Sequence, residues 1–165
     1  MQRRHLIRVC ALGASALCLG KVRLSAQTAE PSTTNHPVLQ VITLDEQPWY
    51  EARDRAVARE LASPRNSKAR AMSIAAIKIP AGVEVVPHHH VMEEVYHIVA
   101  GEGTMRVEDE TRVVRAGQSV VLAPHQWHNI TNHTHEELRL LVVCAPAWAP
   151  EHLIFNRHRM PGDPA

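Results

Sequence analysis

From residue 71 onward, short runs of alternating apolar and polar residues are separated by turns rich in glycine, proline and asparagine. Inward and outward side chains alternate in a strand, so runs recurring about every 8–12 residues indicate antiparallel strands. The predicted strands are AMSIAAIKI (71–79), VEVVPHHH (83–90), EVYHIVA (94–100), TMRVED (104–109), TRVVRAG (111–117), SVVLA (119–123), WHNITN (127–132) and LRLLVVCA (138–145). The region shows neither strand–helix alternation nor an internal repeat. The pattern therefore predicts one all-β sandwich or barrel over residues 71–148.

The pattern differs on both sides of this region. VLQVITL (38–44) alternates as a strand does, and EARDRAVARELA (51–62) is rich in helix formers, which predicts a short N-terminal helix. Residues 38–70 are therefore predicted to be a strand and helix extension of the barrel. Residues 149–165 are rich in proline and are predicted to be a C-terminal tail.

The first 26 residues have the order of an export signal: the basic MQRRHLIR, the small and apolar VCALGASALCLG, then RLSA before a cleavage point. The apolar run is shorter than the roughly 20 residues of a membrane span. Paired Arg3 and Arg4 resemble a twin-arginine signal, which we favour over the ordinary secretory route. Residues 27–37 are predicted to be a flexible tether. We therefore expect a periplasmic or extracellular protein without a membrane anchor in its mature form.

Charge and cysteine content change once the signal is removed. The full chain has 18 Lys and Arg, 17 Asp and Glu and a net charge of +1. Five bases and no acids lie in residues 1–26, so the mature chain has 13 bases, 17 acids and a net charge of −4. This balance predicts no nucleic-acid partner. Only Cys144 remains, which excludes an intramolecular disulfide. The expected partner is a small-molecule substrate, and a homodimer is allowed.

Three consecutive histidines in GVEVVPHHHVMEEVYHIVAG (82–101) raise the question of a metal site. Alternation in a strand places His88 and His90 on one face and His89 on the other. If Glu94 on the next strand faces inward, it converges with the first two, and His128 is a candidate for a fourth ligand. Imidazoles together with a carboxylate suit a divalent first-row transition metal and leave it a Lewis acid.

The same two stretches resemble the two sequence motifs of the cupin family. The first fits G-x5-H-x-H-x3-E-x6-G, and the second, GQSVVLAPHQWHNITN (117–132), resembles G-x5-P-x-G-x2-H-x3-N. The matching positions are Gly82, His88, His90, Glu94, Gly101, Gly117, His128 and Asn132. Ala123 and His125 replace the proline and one glycine of the second motif.

The resemblance covers roughly residues 70–148, and the chain looks most like the small single-domain bacterial cupins loosely called mannose-6-phosphate-isomerase-like. It implies a β-barrel of the double-stranded β-helix, or jelly-roll, type. It also implies one divalent metal held by His88, His90, Glu94 and His128. The identity of the metal stays open among Fe, Mn, Ni, Zn and Cu.

Strand alternation also suggests which side chains surround this cluster. Tyr96 and Ile98 share the face of Glu94, so Glu94 and Tyr96 are the candidate catalytic residues. On the next strand either Met105 or Arg106 faces inward. The first alternative makes the pocket apolar, and the second allows a carboxylate or phosphate to be bound. His125 is a candidate for the mouth of the pocket.

The reaction is open, because cupin metal sites support very different chemistries. A metal-dependent enzyme with dioxygenase-type oxidation of a small organic molecule is favoured, since open positions on the metal let substrate and dioxygen meet. A sugar or sugar-phosphate isomerase or epimerase is one alternative, and a non-enzymatic module that binds a small ligand or a metal is the other.

Overall fold

The computed structural model describes residues 39–155, which contain eleven β-strands, two short 3-10 helices and no α-helix. The first six strands are β1 (Tyr50–Glu51), β2 (Val57–Ala62), β3 (Ser73–Ile79), β4 (His88–His89), β5 (Glu93–Ala100) and β6 (Glu102–Val107). The remaining five are β7 (Glu110–Arg115), β8 (Ser119–Leu122), β9 (His128–Thr131), β10 (Leu138–Ala145) and β11 (Ile154–Phe155). The 3-10 helices are Leu44–Glu46 and Pro150–His152.

The strands form two antiparallel sheets. One has the order β1-β2-β3-β10-β5-β8 and the other the order β11-β4-β9-β6-β7. Neighbours in each sheet are mostly distant in sequence, as in a jelly roll, where successive strands pass from one sheet to the other. The predicted all-β fold class is confirmed, and each of the eight runs predicted from residue 71 onward contains a strand.

The core lies between the two sheets and follows the alternation of the strands. On β10 the side chains of Leu138, Leu140, Val142 and Cys144 are buried, whereas that of Arg139 is exposed. On β5 Glu94, Tyr96 and Ile98 face the same interior. The inner face of β5 is therefore polar at the end that carries Glu94 and apolar at the other, which confines the chemistry to one end of the barrel.

The turn between β5 and β6 shows why the first motif ends in glycine. Gly101 has a φ of +83°, a left-handed conformation that costs other residues about 1–2 kcal/mol. A Cβ at this position would also lie 3.1 Å from the carbonyl oxygen of Glu137. Glycine therefore lets β5 turn directly into β6 against the start of β10.

The predicted N-terminal helix over residues 51–62 is wrong, because this segment forms β1, a turn and β2. Ala56 and Ala58 point inward with a period of two, and Ala58 pairs with Ile77 of β3. Helix propensity is a weak prior that tertiary pairing overrides. Here the free edge of β3 supplies backbone partners and an apolar face that an isolated short helix would lack.

The predicted strand over residues 38–44 is also wrong within the described residues, since residues 39–43 form no strand. Leu39 and Val41 are each 77% exposed, so no sheet covers their apolar side chains. The two sheets extend beyond the predicted barrel range of 71–148, because β1 and β2 precede it and β11 follows it. The predicted export signal and tether lie outside the described residues.

No helix of residues 39–155 is both long and apolar enough to cross a membrane.

Candidate metal centre

Four side chains from three neighbouring segments meet at one end of the barrel interior. His88 lies on β4 directly opposite His128 at the start of β9, His90 follows β4, and Glu94 lies on β5. All four are buried, and one nitrogen or oxygen atom of each lies within 4.8 Å of the others. The structure thus brings together the four residues that the motif resemblance implies as ligands.

Two backbone carbonyls orient the imidazoles of His88 and His128. Nδ1 of His88 lies 2.7 Å from the carbonyl oxygen of Val86, and Nδ1 of His128 lies 2.9 Å from that of Gln126. A carbonyl oxygen only accepts hydrogen bonds, so each Nδ1 carries the proton. The lone pair is then on Nε2, on the opposite side of the ring, which is the tautomer that metal ligation requires.

The atoms facing one another inside the cluster lack hydrogen-bond partners. Oε2 of Glu94 lies 3.0 Å from Nε2 of His90 and 3.3 Å from Nε2 of His128, but neither contact has the alignment of a hydrogen bond. An unsatisfied buried polar atom costs about 1–3 kcal/mol. A divalent cation bound by all of these atoms would remove that cost, and the nitrogen and oxygen donors suit a transition metal. The cluster therefore fits the metal that the sequence motifs imply.

The protonation states of the cluster also favour ligation. Burial, together with the neighbouring His128 and His90, lowers the pKa of His88 to about 3, so this imidazole is neutral at physiological pH. Burial alone would raise the pKa of Glu94, but contacts with His128 and His90 hold that pKa well below its usual value. A neutral imidazole and an ionised carboxylate are the forms that bind a cation.

Tyr96 and Cys144 lie beside Glu94 without belonging to the ligand group. Sγ of Cys144 is 3.4 Å from Oε1 of Glu94, and burial and this carboxylate raise the pKa of the thiol. Burial and the Glu94 carboxylate also raise the pKa of Tyr96, whose ring centroid lies 5.8 Å from that of His128. Both groups therefore keep their protons, and each is a hydrogen-bond donor rather than a base.

A cavity of about 260 Å³ leads to the cluster. Its walls come mainly from the six-stranded sheet and are largely apolar, with Ala56, Ala58, Ala75, Ile77, Leu140 and Val142 among them. Arg53 is the one lysine or arginine among the described residues that line it. This side chain is exposed, with its guanidinium 5.7 Å from the ring centroid of Phe155. The cavity interior is therefore poor in positive charge.

The structure places the tentative pocket residues Ile98, Met105, Arg106 and His125 outside the lining of this cavity. Ile98 is buried in the core, and Met105 is the inward member of its strand. Nε of Arg106 instead donates to the carbonyl oxygen of Glu108. His125 is exposed, and its ring packs 5.7 Å from that of His89 on the outer face. Strand parity indicates which face of a strand a side chain occupies, but it does not tell how far along the barrel the cavity extends.

His125 explains how the second motif tolerates the loss of a glycine. Its φ is +67°, so the left-handed turn that a glycine would adopt here is retained. The strain of such a conformation in a non-glycine residue is of order 1 kcal/mol. The backbone N–H of His125 donates to the carbonyl oxygen of His90 at 2.6 Å, which ties the turn before His128 to another ligand.

Two residues of the site were not predicted from the sequence. Asp54 and Glu60 line the cavity, yet they lie in the segment 51–62 that was predicted to be a helix. The available signal was the spacing of Ala56 and Ala58, which fits an inward strand face as well as a helix. Without that pairing, the N-terminal segment had no predicted contact with the cluster.

Comparisons with known proteins agree with this architecture. The Cupin_2 family, described as cupin domain, matches residues 76–144. An uncharacterized protein of Methanocaldococcus jannaschii is 30% identical over 103 residues, which cover 62% of this chain and 82% of that protein.

Two solved structures show the same fold at low sequence identity. The polyketide cyclase RemF of Streptomyces resistomycificus has a TM-score of 0.62 and 15% identity, covering 71% of this chain and 84% of that one. A predicted oxalate decarboxylase of Thermotoga maritima has a TM-score of 0.58 and 23% identity, covering 65% of this chain and 99% of that one.

The fold and the cluster define a small jelly-roll protein with a candidate metal centre inside one end of its barrel. The chain belongs to the cupin superfamily.

Proposed function

We propose that this cupin is a metal-dependent enzyme that oxidises a small, largely apolar organic molecule with dioxygen. The carrying observation is that four buried ligand atoms, unsatisfied in part, lie beside an apolar cavity. A divalent transition metal held by His88, His90, Glu94 and His128 would supply a Lewis acid with open positions, as oxygen-dependent oxidation at mixed histidine and carboxylate sites requires.

The residues of the chain divide the remaining work. The carbonyls of Val86 and Gln126 fix the rings of His88 and His128, so the site is oriented before any ligand enters. Tyr96 offers a protonated phenol beside Glu94 that can donate to an oxygen of the substrate. The apolar walls favour an apolar substrate by about 25 cal/mol for each Å² buried.

The size and charge of the cavity argue against a sugar phosphate. A pocket for such a molecule needs cationic or amide donors for the phosphate and partners for each hydroxyl group. Here the one basic side chain among the described lining residues, Arg53, is exposed at the edge, so the cavity interior offers no cation to a phosphate group. At about 260 Å³ the cavity is also slightly smaller than the roughly 300–1,000 Å³ of pockets for drug-sized ligands. The hypothesis of a sugar-phosphate isomerase is therefore less well supported than that of an oxidising enzyme.

The similar solved structures do not identify which reaction the site supports. RemF is described as a polyketide cyclase and the Thermotoga maritima protein as a predicted oxalate decarboxylase, so one fold serves different chemistries. A non-enzymatic protein that binds a metal or a small ligand would need the four-residue cluster, but it would not need a hydrogen-bond donor beside that cluster. The position of Tyr96 next to Glu94 favours an enzyme over such a module.

Reconstitution with ferrous iron in the absence of oxygen tests the proposal. Nitric oxide, a mimic of dioxygen, should bind the ferrous protein and give a spin-3/2 resonance. Oxygen uptake should then follow addition of an apolar catechol, diketone or flavonol and not of a sugar phosphate. If the ferrous protein ignores nitric oxide and no such compound supports oxygen uptake, the oxidation reading is overturned in favour of an isomerase or a binding module.

A pair of variants separates metal loading from turnover. Glu94→Gln keeps the shape of the side chain but removes its charge, so it should weaken metal binding less than loss of a histidine ligand while abolishing oxygen uptake. Glu93→Gln is the matched control, because Glu93 is the adjacent glutamate and is exposed. Oxygen uptake by Glu94→Gln at the rate of Glu93→Gln would contradict a role for the carboxylate in turnover.

We also propose that the enzyme acts outside the cytoplasm, because its first 26 residues resemble an export signal. Replacing Arg3 and Arg4 by lysine should leave the precursor in the cytoplasm, as cell fractionation would show. Continued export of that double variant would indicate the ordinary secretory route.

A further inference from the structure

Asp54 is a carboxyl group in the cavity wall that the metal centre does not use. It lies in the turn between β1 and β2 and lines the same cavity as His90 and Glu94. The backbone N–H of Val86, two residues before His88, donates to the carbonyl oxygen of Asp54 at 2.9 Å. The turn that carries this side chain is thus tied directly to the segment that carries the metal ligands.

The carboxylate itself is held at one oxygen and open at the other. Oδ1 accepts a hydrogen bond of 3.1 Å from the backbone N–H of Ala56. The backbone N–H of Asp54 itself is a second donor to the carboxylate, and among residues 39–155 the structure gives this side chain no ion pair, although Arg53 and Arg55 flank it. Oδ2 therefore remains available to a molecule in the cavity.

The groups facing Asp54 explain its proton affinity. Burial is the largest influence and raises the pKa of Asp54, and the Glu94 carboxylate raises it further. The hydrogen bond from Ala56 and the His90 imidazole act in the opposite direction. Tyr96 and Tyr50 also face it, and the charge of Asp54 raises the pKa of both phenols. In the metal-free protein the net effect is a raised pKa of Asp54, set mainly by its burial.

The other titratable groups of the cavity wall are less suited to accept a proton. Contacts with the cluster hold the pKa of Glu94 low, and its Oε1 lies against the Cys144 thiol. Tyr96 and Cys144 keep their protons at neutral pH. Glu60 is paired with Arg65, and Glu51 is exposed. Asp54 is the half-buried carboxylate of this wall with neither a cation partner nor a place in the ligand group.

We propose that Asp54 is the general base of this site, and that the ligand is a small, largely apolar molecule with a weakly acidic hydroxyl group, such as a phenol or an enol. This rests on the proposed function, which places the substrate in the same cavity. The hydroxyl O–H bond breaks, its electron pair stays on the ligand oxygen, and the proton passes to Oδ2 of Asp54 to form a neutral carboxylic acid. When the product leaves, Asp54 returns the proton to solvent.

Proton counting during binding tests this role without relying on turnover. Catechol, an uncharged phenol at neutral pH, is titrated into the zinc-loaded protein, which cannot carry out redox chemistry. Calorimetry in two buffers of different ionisation heat gives the number of protons released. In the wild type, Asp54 takes up the hydroxyl proton of the bound catechol, so this proton does not reach the solvent. Asp54→Asn should therefore release about one more proton per bound catechol. Asp54→Glu should behave as the wild type, and so should Glu46→Gln, which removes an exposed carboxylate outside the cavity.

Asp54→Asn keeps an acceptor for the Ala56 N–H, so unchanged zinc content and circular dichroism are expected. Asp54→Ser decides the question in the same way if the asparagine variant does not fold. Equal proton release in the wild type and the variant overturns the role of Asp54, as does a failure of catechol to bind the loaded wild type.

Oxygen uptake, measured separately, tests the proposed oxidation. A proton difference without oxygen uptake supports the role of Asp54 and overturns the oxidation. Oxygen uptake together with equal proton release in the wild type and in Asp54→Asn supports the oxidation and overturns the role of Asp54.

Discussion

The three consecutive histidines have different surroundings because a strand turns alternate side chains to opposite sides. His88 and His90 face the cluster, whereas the ring of His89 packs 4.5 Å from that of Trp127 on the other side. His88 is further distinguished by its carbonyl partner and by the burial that keeps it neutral. Neighbouring residues of one type therefore have separate and testable roles.

Removal of single ligands should show this division directly. His88→Ala, His90→Ala and His128→Ala should each weaken metal binding by more than about 100-fold, since changes to the partners of ligands alone cost about 10–100-fold. His89→Ala and His97→Ala should bind metal as the wild type does, because His89 packs on Trp127 and His97 contacts Ser119 on the surface. Elemental analysis after dialysis measures the content. Full occupancy in the first group, or loss in the second, refutes the assignment of ligands.

The pKa of His88 predicts acid sensitivity of the metal-free protein. An unfolded histidine takes up its proton near pH 6.5, whereas folded His88 stays neutral down to about pH 3. Between these values the unfolded state binds more protons, so stability falls as the pH falls. The slope from this residue is at most about 1.4 kcal/mol per pH unit.

His88→Gln should remove that contribution. Denaturant unfolding of the wild type and the variant between pH 7 and pH 4 measures the difference in slope. Parallel stability profiles over this range would mean that the folded protein does not hold His88 neutral.

At the scale of elements, the connection between β9 and β10 gives the last residue of the second motif a structural role. Asn132 is completely buried, and its Nδ2 donates to the carbonyl oxygens of Ile79 and Glu136. Its Oδ1 accepts from the backbone N–H and the hydroxyl of Thr134. One side chain thus ties the end of β3 to the loop before β10.

Asn132→Ala should therefore destabilise the protein without changing its ligands. Each buried partner left unsatisfied costs about 1–3 kcal/mol, so a loss on the order of 3 kcal/mol is expected. Metal content of the folded fraction should stay at the wild-type level, because Asn132 is not in the ligand group. Thr134→Ala, which removes one contact of Asn132 together with two exposed hydrogen bonds to Glu136, should lose about 1 kcal/mol. Chemical denaturation measures both, and equal losses in the two variants would contradict this account.

Elements also show how a pairing partner changes the structure that a sequence favours. The segment that forms β2 contains good helix formers, yet it pairs with β3 and contributes Ala58 to the cavity wall. Small side chains at this position leave space in front of the metal centre. The helix predicted for this segment therefore left one wall of the cavity out of the expected site.

At the scale of the whole molecule, the candidate metal centre is built from both sheets. Glu94 belongs to the six-stranded sheet, whereas His88 and His128 belong to the five-stranded sheet. A ligand that binds only the folded state stabilises it by about 2.7 kcal/mol at a concentration 100 times its Kd. Metal loading should therefore raise the Tm by on the order of 10 °C in a domain of this size.

Scanning calorimetry of the metal-loaded and the chelator-treated protein measures this shift. The His128→Ala variant is the control, because it should show no metal-dependent change in Tm. The same rise in that variant would show that the metal stabilises the protein from another site.

Much of the fold and of the candidate site could be predicted from the sequence, because these features depend on residues that are close together in the chain. Alternating runs specify strands through the period of two, and the spacing of His88, His90 and Glu94 specifies which side chains share a face. The motif glycines and Asn132 belong to turns, whose conformation depends on few residues. The all-β class follows from such short-range constraints, whereas the full group of ligands was implied by the resemblance to the two cupin motifs.

The tertiary structure alone decided what depends on contacts distant in sequence. Pairing of β2 with β3 converted helix formers into a strand, because the sheet edge supplied hydrogen bonds and a face to bury. Pairing of β11 with β4 added the last strand beside His88 and His89. The same long-range contacts brought Asp54 to the cavity and excluded Met105 and His125 from it. Local periodicity tells which way a side chain points, whereas the depth and walls of a cavity depend on which strands meet.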